Sequence, residues 1–210
     1  MDHRFFYVYE VKGNINELDQ VNENPMEIDE TKFKLNLDKR EKIKSIIPNY
    51  CFYDQEEIKG KIEIKNDIQR LVPFKIRSQS KLLFIETPFQ REKLKIINFL
   101  DRIFENLELE TFVPTNRAEV NFICHTANFT SFKVFIDNEI VRSNETDKDL
   151  CEGLMKDMEL IEVTLNMDIN NENVTFYYYG NAIQFPSYEQ DKDIEGVIQV
   201  FENTMMTPSK

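Results

Sequence analysis

Tryptophan is absent from this 210-residue chain, glycine occurs five times and histidine twice. No apolar run approaches the ~20 residues that cross a bilayer as a helix. The start, MDHRFFYVYEV, lacks the basic region, apolar stretch and small-residue cleavage site of a signal peptide, so a cytosolic protein with no membrane partner is expected. Three cysteines, Cys51, Cys124 and Cys151, are an odd number without C-x-x-C spacing. That pattern argues against a disulfide framework and against a zinc site, and buried free thiols are expected. His3 and His125 are too few for a histidine-based centre. Cys124 and His125 are neighbours, and in a strand they point to opposite faces and cannot pair as thiol and base. No cofactor motif is found, no metal site is expected, and no small-molecule substrate suggests itself.

What is present is aromatic and β-branched. Seventeen Phe and eight Tyr accompany abundant Ile, a composition that favours strands. Phe5 to Val11 reads as an opening strand, residues 14–29 as a loop, and 31–47 as a short strand followed by a helical piece ending at Pro48. KIEIK at 61–65 alternates as a half-buried strand, and 72–77 with 81–87 form a hairpin about SQS. Further strands are expected at 109–113, 120–125 and 132–137. An amphipathic helix is expected at 147–158. Then 161–169 and VTFYYYG pair as antiparallel strands across NNEN, and a last helix carries Ile194, Val197, Ile198 and Phe201. The fold class is α+β, a largely antiparallel sheet with one long and two shorter helices. The polar stretch near residue 140 suggests an N-terminal domain, 1–140, and an acidic C-terminal sub-domain, 141–210.

LLFIETPFQREK, residues 82–93, takes a strand into the long helix. Thr87 stands where an N-cap belongs, Pro88 at the first helical position and Gln90 at the third, a capping box. The helix should run to about Asn106 with Leu94, Ile97, Leu100, Ile103, Phe104 and Leu107 on its packed stripe. With no glycine here and Glu86 adjacent, the turn is structural and does not cradle an anion.

Formal net charge is -12, but residues 32–102 hold 17 Lys and Arg against 10 Asp and Glu. Two readings follow. Lys32, Lys34, Lys39, Arg40, Lys42 and Lys44 are a solvated face pairing with flanking acids, as charge blocks usually are, or they face an anionic partner or the acidic part of another copy. Under the second reading Lys39, Arg40, Lys42, Lys44, Lys75 and Arg77 are the nucleic-acid-binding candidates. Asp54 with Glu63-Ile64-Lys65 matches the acid and E-x-K of metal-dependent nucleases, in which carboxylates hold Mg²⁺ and the Lys steadies the attacking water. The match is three residues long and arises readily in a Lys/Glu-rich strand. Tyr177 and Tyr179 share one face of their strand, opposite Phe176 and Tyr178. With no Lys or Arg between 160 and 190, those tyrosines read as a contact for a protein partner and not as a base-stacking platform.

The order of an aromatic first strand (RFFYVYEV), a hairpin ending KLLFIET, a long helix and a further strand series resembles RexA-type phage-exclusion proteins and related uncharacterised proteins of bacterial defence islands, over about residues 70 to 137. The resemblance implies an α+β protein in conflict between bacteria and mobile elements, a dimer or a subunit sensing DNA or a phage protein. It transfers no functional residue. The expectation is a non-catalytic interaction subunit acting through a protein partner or self-association. The alternatives are nucleic-acid binding by the basic segment and a metal-dependent nuclease.

Overall fold

The computed structural model describes residues 3–15, 18, 24–104, 106–126, 128–136, 139–143 and 159–206. Among them are thirteen strands and three helices. Two compact units divide the chain. A central unit comprises Phe5–Ile43 and Asp54–Phe112, and a C-terminal unit comprises Met1–Arg4, Lys44–Tyr53 and Val113–Lys210. Residue 140 falls inside the C-terminal unit.

In the central unit, β1 (His3–Gly13, from Phe5 onward), β7 (Leu82–Glu86), β6 (Gln69–Arg77), β5 (Glu56–Lys65), β3 (Thr31–Leu37) and β2 (Met26–Ile28) are neighbours in that order. β4 (Glu41–Lys42) adds to β5, and β8 (Leu107–Thr111) adds to β1. These pairings are all antiparallel. The alternation that defines β3 and β5 sends Phe33, Leu35, Ile58, Ile62 and Ile64 to one face, where all are buried. α1 (Gln90–Ile103) covers that face: Phe99 stacks on Phe33 with ring centroids 5.0 Å apart, and Ile96 and Leu100 are fully buried.

The hairpin at 69–86 forms as its sequence predicts, but the long helix departs from expectation twice. It starts at Gln90 with Phe89 as N-cap and no side-chain cap bond. The Thr87 hydroxyl instead accepts from the Phe89 N–H at 3.3 Å, a local turn that precedes the helix. Arg70 secures the first turn, its guanidinium 4.5 Å above the Phe89 ring and ion-paired with Glu92. The packed stripe is Ile96, Phe99 and Leu100, while Leu94 is exposed.

In the C-terminal unit, β10 (Glu139–Ser143), β9 (Asn128–Ile136), β11 (Glu159–Ile169), β12 (Glu172–Tyr178) and β13 (Ala182–Pro186) follow one another. The β11–β12 hairpin turns on Asn170 and Asn171, both at positive φ (51° and 71°), the conformation that suits the strands' twist. The expected strand at 120–125 is instead α2 (Asn116–Asn121) running into a π turn, Phe122–Thr126. Thr115 caps α2 by accepting from the Ala118 N–H at 3.3 Å, and the Phe122 ring packs among Phe176, Tyr178 and Phe201. These tertiary contacts override a local alternation that also fits a strand.

α3 (Asp191–Met206) packs on β11 and β12, with Gly196 against Ile169. One side of α3 also holds the segment 44–53. Gln199 accepts from the Ile46 N–H at 2.8 Å and donates to the Lys44 carbonyl at 2.9 Å. The buried Tyr50 hydroxyl donates to Glu202 at 2.6 Å, and the Cys51 N–H donates to Asn203 at 2.9 Å. These bonds replace the helical piece expected up to residue 47. α1, α2 and α3 have 14, 6 and 16 residues, so the expected single long helix has a longer counterpart at the C-terminus. The predicted helix at 147–158 lies outside the described residues. No helix among those described is long and apolar enough to cross a membrane.

Candidate polyanion-binding face

The sheet face turned away from α1 is set by the same alternation that builds the core. On β3 it presents Lys32 and Lys34, on β5 Lys59, Lys61, Glu63 and Lys65, and on β6 Gln69, Leu71, Pro73 and Lys75. Register then decides which of them meet. Lys32 lies directly across from Lys65, Lys34 from Glu63, and Lys59 from Lys75. Like charges directly opposite one another cost stability, a few tenths to about 1 kcal/mol per pair. Two such lysine pairs stand on this face.

Six lysines thus share a surface with the half-buried Glu63 and the buried Glu57, and Glu63 is engaged by Gln69, whose amide donates to it at 2.6 Å. Lys32, Lys34, Lys61 and Lys65 are exposed and make no ion pair among the described residues. Lys59 reaches Glu57 at 2.9 Å, and Lys75 extends over the Phe6 and Phe84 rings, 5.9 and 5.7 Å from their centroids. Lysine on an edge strand wards off aggregation, but β5 is flanked on both sides by β3 and β6, so its lysines guard no edge.

The residues singled out in the sequence go to different places. Arg77 is fully buried and paired with Glu57 at 2.6 Å, where it meets no external partner. Arg40 pairs with Glu56 at 3.5 Å and donates to the Ile15 carbonyl. Lys42 faces Asp54 at 3.8 Å. Lys39 and Lys44 are exposed, and of the six candidates only Lys75 belongs to the lysine face. Lys32, Lys34, Lys59, Lys61 and Lys65 were missed as a group. The signal was there in the alternation of KFK and KGKIEIK, but only the cross-strand register shows that the rows meet on one side.

The nuclease triad does not assemble. Asp54 stands before β5 and Glu63 near its far end; Glu56 and Glu63 alone are about 23 Å apart at the usual strand rise. No group of three His, Cys, Asp or Glu side chains among the described residues converges in a way that would hold a metal ion. Asp54 instead lines a polar cleft of about 450 Å³ with Gly13, Asn14, Glu56, Ser78 and Lys81, in which acids and cations are mixed.

Tyr177 and Tyr179 are half-buried. His3 meets the Tyr177 ring edge-on, and the Tyr179 hydroxyl donates to Gln184 at 2.5 Å. Their neighbour Tyr178 is fully buried and donates to Glu119 at 3.0 Å. Burial pushes the Glu119 carboxyl above its ordinary range, against the lowering effect of that hydrogen bond, and burial together with Glu119 raises the Tyr178 phenol. Cys51 is a free thiol, as expected, but exposed where burial was expected, whereas Cys124 is disulfide-bonded. That corrects the expectation for Cys124.

No protein-family model and no curated protein matches this chain.

Folding also redistributes the charge. The central unit brings acids of the first 31 residues and of β8 back beside the basic segment, giving 17 Lys and Arg against 20 Asp and Glu; the C-terminal unit has 9 against 18.

Proposed function

We propose that this protein is a non-catalytic binding protein whose lysine face on β3, β5 and β6 holds the phosphate backbone of a nucleic acid. The observation that supports this reading is the register that sets Lys32 opposite Lys65 and Lys59 opposite Lys75 on an open sheet. Ammonium groups crowded this way are relieved by an anion, and a phosphodiester chain supplies a row of them. The reading takes the partner to be cytosolic and, following the resemblance to phage-exclusion proteins, places it in conflict between bacteria and mobile elements. Fluorescence anisotropy with labelled oligonucleotides at rising salt tests it. The triple variant Lys32→Glu, Lys61→Glu, Lys65→Glu should weaken binding at least tenfold and flatten the salt dependence by about one unit of slope for each lysine lost. Unchanged affinity in a variant that retains its circular dichroism spectrum excludes the reading.

A second reading, self-association, is favoured by β10, an edge strand among the described residues. There Ile140, 56% exposed, lies directly across from Phe135, 36% exposed. Antiparallel pairing of β10 with a second copy would cover both. Light scattering on the wild type and on Ile140→Lys decides it, a monomer in both cases being the negative result.

A further inference from the structure

Resting on the nucleic-acid reading above, we infer that the ligand is an unpaired single strand, its phosphates along the lysines and its bases on an apolar shelf formed by Leu71 and Pro73. The register defines the shape of the positive region. Lys75 and Lys59 stand side by side at one end, Lys61 follows, then Lys34 on the next strand, then Lys32 and Lys65 side by side at the other end. From Lys59 to Lys65 is six residues, about 20 Å at the usual strand rise. The result is a diagonal stripe, at most two lysines wide, suited to one sugar–phosphate chain.

Beside the stripe lies the shelf. Leu71 is directly across from Glu63, and Pro73 from Lys61, on the same face. Leu71 is 57% exposed, a large apolar side chain left in water on β6, which pairs with β5 along its length and with β7 over Phe74 to Ile76. Bases in a duplex are stacked and hidden behind two phosphate chains. In a single strand their apolar faces are free to cover such a side chain. β3, β5 and β6 place no aromatic side chain on this face, and Phe84, across from Lys75 on β7, is buried like Phe6, so base contact on the shelf is by apolar packing and indifferent to sequence.

The test uses the full chain and three probes: a single-stranded oligonucleotide of mixed sequence, an oligo-dT of the same length, and the duplex of the first. The two single strands should bind within about threefold of each other and at least tenfold more tightly than the duplex. Leu71→Trp should tighten single-strand binding several-fold with quenching of its fluorescence, in a protein that otherwise has no tryptophan. Leu71→Ala should weaken binding about threefold with the salt slope unchanged. A duplex bound as tightly as the single strand, or a tryptophan at position 71 that neither quenches nor tightens, overturns this inference and leaves the polyanion face standing. Absence of binding to all three probes removes the face and the inference together.

Discussion

Glu119 is where burial and charge meet most directly. Its carboxyl accepts from the buried Tyr178 hydroxyl, yet desolvation outweighs that bond and raises its pKa above the ordinary 4.5. The folded protein therefore holds this proton to higher pH than the unfolded chain does. The stabilising contribution is complete below 4.5 and is lost as pH rises through the elevated folded value. Asp101 and Glu189 are shifted in the same direction by burial, so the wild type alone does not isolate the effect. Glu119→Gln keeps an acceptor for Tyr178 and removes the titration. Urea midpoints measured across pH 4 to 7 should fall less steeply in the variant than in the wild type, and parallel curves would refute the assignment. Alternation in TFYYYG correctly hides Tyr178, but its carboxylate partner is 59 residues distant and only the fold reveals it.

Among the elements, α3 packs closely on β11 because position 196 has no side chain. A Cβ there would meet Ile169 Cγ2 at 2.5 Å, and a β-branched residue has little rotamer freedom with which to yield. Gly196→Ala should cost about 1 to 3 kcal/mol by overpacking, despite alanine's better helix propensity. Ile169→Ala, which removes the offending methyl, should make the double variant less unstable than the sum of the two single changes. Denaturant unfolding of the four proteins in the cycle measures this, and simple additivity would dismiss the contact. Elements with a strong local signal were legible: the 69–86 hairpin from its alternating strands, the β11–β12 hairpin from its asparagines, and α3 from Ile194, Val197, Ile198 and Phe201. Those decided by distant side chains were not. Val120, Phe122 and Cys124 alternate like a strand, and it is the ring cluster of Phe176, Tyr178 and Phe201 that draws Phe122 into a helical turn. Likewise Arg70, twenty residues before α1, contacts Phe89 and Glu92 where the helix starts, a partner the local pattern of Thr87 and Gln90 does not reveal.

Across the whole molecule, covalent state and charge are the properties composition alone misjudges. Three cysteines give no hint of pairing, but with Cys124 in a disulfide and Cys51 free, unreduced protein opened in denaturant should show one reactive thiol, and reduced protein three. A count of three without reductant would contradict the bond. The basic middle segment was legible as a run of charge, yet two of its six candidate cations, Arg40 and Arg77, are committed to Glu56 and Glu57 inside the fold. The lysines left open come from rows that are far apart in sequence until strand pairing aligns them. Chain routing carries a further consequence. The chain leaves the central unit after Ile43 and re-enters it at Asp54, and Gln199, Glu202 and Asn203 hold the excursion on α3. Neither unit is encoded by one uninterrupted stretch, so a single recombination breakpoint hands neither to another gene whole, and the two are inherited together.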